Sequence, residues 1–333
     1  MLKESAEPLL AGYDLAMLDL DGVVYIGAAA VDGAPEHLRR ARTAGLHLAF
    51  VTNNASRPPQ RVADHLVRLG VEVGPSDVVT SAQAAAHLLA DRLPTGARVF
   101  TLGGDGLREA LVEEGLEPVG SRDDEPAAVV TGYGPDVVWR DIMVGAVLIR
   151  DGLPWVASNT DMTIPTDYGI GPGHGVQVRM LREFSGVEPE VAGKPQRPLL
   201  DETVRRVGGD HPLMVGDRLD TDIEGAHNAG VDSLCVLTGV SGLADLAAAD
   251  RQHRPTYLSR TLEGLFTAHP VPEDDGAQTV LGGWRATVVD GRLCVDGDGR
   301  SADDWWRAVV TAAWRYADET GEVADTGDLR PPE

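Results

Sequence analysis

Lysine is nearly missing from this chain: of its 29 basic residues only Lys3 and Lys194 are lysines. Cysteine is equally scarce, with Cys235 and Cys294 far apart and outside any motif, so both read as ordinary thiols of a reducing compartment. No apolar run approaches the roughly 18 residues that span a bilayer. The stretch Met1 to Ala11 carries Lys3, Glu4 and Glu7 and lacks the apolar segment of a signal peptide. The expected location is the cytoplasm, with no membrane partner. Positive charge is also in deficit: the formal net charge is −23. Nucleic acid is therefore an unfavourable partner, because phosphate backbones are bound by dense basic surfaces. A small anion is not excluded where a metal ion and a few local donors offset the charge.

What is present is globular. Hydrophobic residues make up 43% and charged residues 24% of 333 positions, a length that suits two domains and an added element. Short apolar runs, Leu15 to Leu20, Leu46 to Val51, Pro212 to Val215 and Ser233 to Leu237, have the character of buried parallel strands. Helical stretches separate them: Glu36 to Ala44, stopped by Gly45, and Asp222 to Ala229. This alternation predicts an α/β fold, a Rossmann-like doubly wound parallel sheet. Between the halves a second α/β stretch has strands near Arg98–Leu102, Ala127–Thr131 and Trp155–Ser158 and helices near Gly106–Glu114 and Trp139–Arg150. The expected organisation is a discontinuous core, 1–82 with 190–269, and an inserted α/β domain over 83–189.

From about Pro270 the pattern changes. Val271 to Gly276 reads as a linker, and Asp290-Gly291 is a hairpin turn signal between Trp284–Val289 and Arg292–Val295. Ser301 with Asp304 resembles a capping box opening a helix through Asp318, on which Trp306, Val310, Ala313, Trp314 and Ala317 form one stripe. Four of the six tryptophans lie in this hairpin-plus-helix extension, 270–333. It must bury them against the core or a subunit partner; a separate ligand- or partner-binding module is the other reading.

Functional groups in open α/β sheets gather at the carboxyl ends of the strands. The first run ends in Asp19-Leu20-Asp21-Gly22, where strand alternation puts both carboxylates on one side. Paired carboxylates attract a cation, and oxygen-only ligation favours Mg²⁺; a calcium loop of the EF-hand kind would need further acids and a glycine at set positions. The second run ends in Thr52-Asn53-Asn54, whose hydroxyl and N–H groups suit phosphate oxygens, although the same tripeptide is also a common turn. The third ends in Gly216-Asp217, with Asp220 and Asp222 following. Asp222 is a candidate for the metal site and equally a helix N-terminal acid. Lys194, in Gly193-Lys194-Pro195, suits phosphate binding among carboxylates or a plain loop. Gly103-Gly104-Asp105-Gly106 and the alternating glycines from Gly169 to Gly175 match no dinucleotide or P-loop pattern and read as turn glycines.

Together, Asp19-Leu-Asp21-Gly22-Val23, Thr52-Asn53-Asn54, Gly193-Lys194-Pro195 and Gly216-Asp217…Thr221-Asp222 resemble, in order, the four motifs of the haloacid dehalogenase-like (HAD) phosphatases. Val24-Tyr25, the double Asn, Ser158-Asn159-Thr160-Asp161, Pro165 and Pro172-Gly173 make the chain similar to the NagD-like, or 4-nitrophenylphosphatase-type, subgroup over about residues 13–268. The resemblance implies Asp19 as nucleophile and Mg²⁺ ligand, passing through an aspartyl-phosphate. It implies Asp21 as proton donor and acceptor, with its backbone carbonyl on the metal. Thr52 and Asn53 would hold phosphate oxygens and Lys194 would stabilise the phosphoryl charge. Asp217 would complete the metal site, supported by Asp222. Asn54 belongs to the same phosphate loop.

Spacing locates the insertion independently. Asp21 to Thr52 is 31 positions, too few for a domain, whereas Asn53 to Lys194 is 141. The subgroup carries its cap there, and a cap closing over the site would exclude water and choose the leaving group. Asn159 and Asp161 are its candidate substrate contacts, or else turn formers. A dehalogenase would not need Asp21 or a metal, and a small-cap phosphomutase would carry its lid between the first two motifs. A fold retired to binding would not keep every acid and Lys194. The expected substrate is a small phosphate monoester, glycerol 3-phosphate first, with phosphoglycolate, pyridoxal phosphate and nucleotide monophosphates as alternatives. Homodimerisation follows from the resemblance alone.

Overall fold

The strand Leu15–Leu18 is buried at every residue, which is how a strand reads when both faces of its sheet are covered. A computed structural model describes residues 1–333 apart from 167, 275, 328 and 333. The chain divides into two compact units, Met1–Leu48 with Gly209–Glu333, and Ala49–Gly208.

In the first unit Leu15–Leu18 pairs in parallel with Pro212–Gly216, Leu18 opposite Val215. Pro212–Gly216 pairs with Asp232–Val236, which pairs with Tyr257–Ser259. The order is thus non-sequential and every neighbour is parallel, as expected. On the other side of Leu15–Leu18 the strand His47–Thr52 begins, where the His47 N–H donates to the Asp14 carbonyl at 3.0 Å. The helix Ala34–Thr43 stops as predicted. Gly45 follows at φ +94°, and Leu46 N–H closes back on Ala41 O at 3.1 Å.

The tail differs from its sequence reading in two respects. The supposed linker contains a strand, Glu273–Asp274, which pairs antiparallel with Thr279–Leu281. This extends the predicted hairpin, Trp284–Val289 and Arg292–Gly297, to a four-stranded meander. Its Asp290-Gly291 turn has positive φ at both residues. The helix, Ala302–Thr320, buries all of Trp305 through Trp314 rather than one stripe. It does so because it is covered twice. One cluster joins Trp305, Val309 and Trp314 to Ile223, Cys235 and Leu258 of the parallel layer and to Ala286 and Leu293 of the meander. Ser301 accepts the Asp304 N–H at 3.2 Å as the cap; the Asp304 carboxylate turns instead to Arg307, at 3.3 Å.

The second unit contains the segment 83–189 together with flanking elements. A five-stranded parallel sheet runs in the order Glu190–Val191, Trp155–Ala157, Ala128–Thr131, Arg98–Leu102, Glu117–Val119. The end of His47–Thr52 pairs with Val78–Thr80. The helices include Asp105–Glu113, Trp139–Arg150, His174–Ser185 and Pro198–Val207. Most of the glycines read as turn formers serve close approach instead, whereas Gly169, with open space where a Cβ would stand, is a turn glycine as expected. A Cβ on Gly106 would lie 2.7 Å from the Arg57 backbone, and one on Gly175 would lie 2.1 Å from Thr160 O. Of these two groups of glycines only Gly169 has positive φ. No helix among the described residues is long and apolar enough to cross a membrane.

Candidate active site

The parallel pairing of Leu15–Leu18 with Pro212–Gly216 brings the next residue of each strand, Asp19 and Asp217, to the same sheet edge. Asp19 N–H still donates to Val215 O at 2.9 Å, so the ladder runs up to the site. Asp222 joins them. Carboxylate oxygens of Asp19, Asp217 and Asp222 lie within 4.8 Å of one another, and Asp217 and Asp222 are buried. Three hard oxygen donors so close are suited to a divalent cation of the Mg²⁺ type.

Local backbone explains the convergence. The turn Leu219–Ile223 is wound one residue wide, with Ile223 N–H donating to Arg218 O at 3.2 Å, and it leads into the helix Glu224–Ala229. Asp222 Oδ2 accepts the Arg218 N–H at 3.1 Å, which fixes the acid against its own loop. Glycines leave room for the carboxylates. A Cβ on Gly22, whose φ is +92°, would lie 2.4 Å from Asp217 Oδ2, and one on Gly216 would lie 2.2 Å from Asp222 Cβ.

The loop after Asp232–Val236 was not singled out from sequence, yet it holds Asp217. Val240 N–H donates to Asp217 Oδ2 at 2.7 Å, Ser241 N–H to Asp217 O at 3.2 Å, and Thr238 Oγ1 to Gly22 O at 2.5 Å. A Cβ on Gly239 would stand 2.0 Å from Asp217 Oδ2. Its one legible signal was position, at the end of the strand next to Pro212–Gly216.

Asp21 departs from the strand-alternation argument. The strand ends at Leu18, and Asp21 lies in a turn closed by Val24 and Tyr25 N–H donating to Leu20 O. Its carboxylate is not in the cluster of three. Asp21 is an exposed residue, yet enough protein surrounds its carboxyl to push its pKa above the ordinary value, against the lowering effects of the Gly27 N–H and Arg218. Cys235 lies under the acids, and burial, then the nearby charges of Asp217 and Asp222, keep it an inert thiol.

The remaining predicted residues belong to the second unit, which knits them together. Thr52 Oγ1 accepts the Asn54 N–H at 3.1 Å. Asn54 Oδ1 accepts from Ser56 N–H, Ser56 Oγ and Arg57 N–H, so this side chain builds the turn. Asn53 reaches Asp161 and Lys194 through its side chain, and Asn159 donates to Asn53 O at 2.7 Å. Lys194 and Asn159 are buried. The Lys194–Pro195 peptide is cis.

Residues 16–117 match a family model described as haloacid dehalogenase-like hydrolase, and residues 191–265 match a second, HAD-hydrolase-like model. The chain belongs to the HAD-like hydrolases. Its relatives place it in the NagD-like subgroup. It is 44% identical over 310 residues to the D-glycerol 3-phosphate phosphatase of Mycobacterium tuberculosis, covering 91% of this chain and 86% of that protein. It is 34% identical to an acid sugar phosphatase of Staphylococcus aureus, covering 75% of this chain and 95% of the other. Among solved structures, the glycerol phosphate phosphatase of M. tuberculosis in complex with magnesium superposes with a TM-score of 0.86 at 40% identity, covering 98% and 97% of the two chains. The 4-nitrophenylphosphatase of Thermotoga maritima gives 0.71 at 29% identity, covering 77% of this chain and 97% of that one.

Proposed function

We propose that this chain is a Mg²⁺-dependent phosphatase that hydrolyses a small phosphate monoester, glycerol 3-phosphate foremost, through an aspartyl-phosphate. The observation that carries the chemistry is the cluster of Asp19 and Asp217, at adjacent strand ends, with Asp222 of the following turn. The substrate preference rests on the 44% identical relative that bears the name of that activity.

In this reading Asp19 attacks phosphorus, the P–O bond to the alcohol breaks, and Asp21 gives its proton to the departing oxygen. Asp21 then takes a proton from water as the water attacks the phosphoryl group, and the bond to Asp19 breaks to release inorganic phosphate. The carboxylate oxygens of Asp19, Asp217 and Asp222 lie close enough together to suit Mg²⁺, and the Asp21 backbone carbonyl would be a further ligand. When bound, the ion offsets the negative charge of nucleophile and phosphate. Lys194 would serve the same electrostatic end, and Thr52 would donate to a phosphate oxygen. The segment 83–189 would act as the cap that selects the leaving alcohol; Asn159 and Asp161, its candidate substrate contacts, hydrogen-bond to Asn53.

The test is phosphate release from a panel of monoesters, ranked by kcat/KM with and without Mg²⁺. Glycerol 3-phosphate should lead the panel, and Asp19→Asn should lose more than about 10³-fold in kcat. A wild-type protein that releases no phosphate from any ester would end the reading. A panel led by sugar phosphates, phosphoglycolate, pyridoxal phosphate or a nucleotide would overturn only the choice of substrate.

A further inference from the structure

The loop that carries Lys194 is short, lying between the strand Glu190–Val191 and the helix Pro198–Val207. Its peptide groups at Lys194 are satisfied by one side chain. Lys194 N–H donates to Asn53 Oδ1 at 2.8 Å, and Asn53 Nδ2 donates back to Lys194 O at 3.0 Å. This is a two-point clamp, an amide side chain paired with a peptide as one strand residue pairs with another. The second proton of Asn53 Nδ2 goes to Asp161 Oδ1 at 3.1 Å. Both amide donors are then spent within the protein, and the side chain has no N–H left for a phosphate oxygen.

Two further observations show the clamp is built into its surroundings. Gly193 is required by it, because a Cβ there would stand 2.6 Å from Asn53 Oδ1 and 2.6 Å from Ser158 O. Asn53 is itself fixed from behind: its carbonyl accepts from Ser81 Oγ at 2.6 Å and from Asn159 Nδ2 at 2.7 Å. Asn159 is buried, its Oδ1 takes the Asp161 N–H at 3.2 Å, and its carbonyl accepts from His174 Nδ1 at 2.8 Å. Because that acceptor is a carbonyl, His174 must carry its proton on Nδ1. A continuous hydrogen-bonded chain therefore runs from His174 through Asn159 and Asn53 to the backbone of Lys194.

We propose that the Asn53 side chain is a positioning group for Lys194, held in place by Asn159, rather than a direct ligand of the phosphate. The proposal rests on the phosphatase reading for the role of Lys194, and it gives the Asn53 side chain a task separate from the phosphate contact that the resemblance implies for residue 53. Its physical content is placement: a buried cation stabilises a developing charge only where its ammonium group is held, and a displacement of about 1 Å is worth about 10²-fold in rate.

The near absence of lysine makes the placement measurable without activity. Amine acetylation of the folded, full-length protein, followed by peptide mass spectrometry, gives a rate for buried Lys194 against exposed Lys3 as internal reference. In Asn53→Ala the ratio of the Lys194 rate to the Lys3 rate should rise by about 10-fold or more, as the loop is released. In the same variant kcat should fall by about 10²-fold, with KM and inhibition by inorganic phosphate changed by less than about 3-fold. If Asn53→Ala does not fold, Asn159→Ala should shift both readouts in the same direction, less strongly. An unchanged labelling ratio, or a loss expressed in KM and phosphate inhibition, overturns the proposal and returns Asn53 to the phosphate. Absence of phosphate release from the wild type would instead fall on the phosphatase reading, and the labelling ratio would still decide whether Asn53 sets Lys194.

Discussion

Asp217 shows how much of an acidic site is made by residues with no charge. Its Oδ2 sits where Cβ atoms on Gly22 and Gly239 would fall, and it takes the Val240 N–H. Gly239→Ala should therefore displace the carboxylate while leaving every acid in the chain. The expected result is a 10- to 100-fold weaker requirement-setting affinity for Mg²⁺, about the effect of losing a supporting contact to a metal ligand. Mg²⁺ titration of phosphate release measures it, and an unchanged Mg²⁺ midpoint would show that Asp217 is not a ligand. These residues also mark the limit of sequence reading. Asp19 and Asp217 stood out because apolar runs end on them, and Lys194 because lysine is rare; the structure groups the two acids with Asp222. The Thr238–Ser241 loop was not, because a glycine that yields space to a carboxylate looks like any turn glycine. Asn53 was a candidate from its motif, but its side-chain partners, Lys194 and Asp161, lie 141 and 108 positions away.

Strands and helices were legible where periodicity is unambiguous. Trp139–Arg150 forms as predicted, and the parallel strands form where short apolar runs predicted them. The tail helix was under-read because a single stripe assumes one covered face, and this helix has two covering layers. The strand at Glu273–Asp274 was missed because charge and proline hide a pairing that uses only backbone.

The tail is fastened to the parallel layer by buried polar groups. Arg307 donates through Nε to Leu258 O at 3.2 Å and through Nη2 to His269 Nδ1 at 3.2 Å, while His269 Nε2 donates to Gly264 O at 2.8 Å. His269 is thus neutral, and burial, with Arg307 opposing a proton, lowers its pKa to about 4. His174 is lowered to about 4 by burial. The folded protein resists protons that the unfolded chain accepts near 6.5, so stability is full above that value and falls as pH drops towards about 4. Each histidine contributes up to about 3 kcal/mol to this loss. Melting midpoints from pH 8 to 4 should decline across that window, and His269→Gln, which keeps the donor to Gly264, should decline less. A His269→Gln profile parallel to the wild type would remove His269 from the account.

The molecule as a whole carries a charge of −23, and three of its carboxylates are crowded at one sheet edge. Crowded like charges oppose folding unless a cation is bound, so Mg²⁺ should raise the melting midpoint, by the equivalent of about 2.7 kcal/mol at 100 times its dissociation constant. Asp217→Asn should reduce that increment, as read by calorimetry with and without chelator; an equal increment in the variant would move the ion elsewhere. The α/β class and the ordered motifs were open to sequence because each is local. The compact divisions, at 48/49 and 208/209, were not, since they depend on contacts between distant segments such as Arg205 and Glu114.

The proposed chemistry turns on one carboxylate, that of Asp19. An acyl phosphate on Asp19 can be trapped by quenching the enzyme during turnover of glycerol 3-phosphate, reducing with borohydride and mapping the peptide that contains residue 19. Homoserine should appear at position 19 when both substrate and Mg²⁺ are present, and not when either is omitted. Phosphate release from an enzyme whose residue 19 stays an unmodified aspartate throughout turnover would contradict that chemistry.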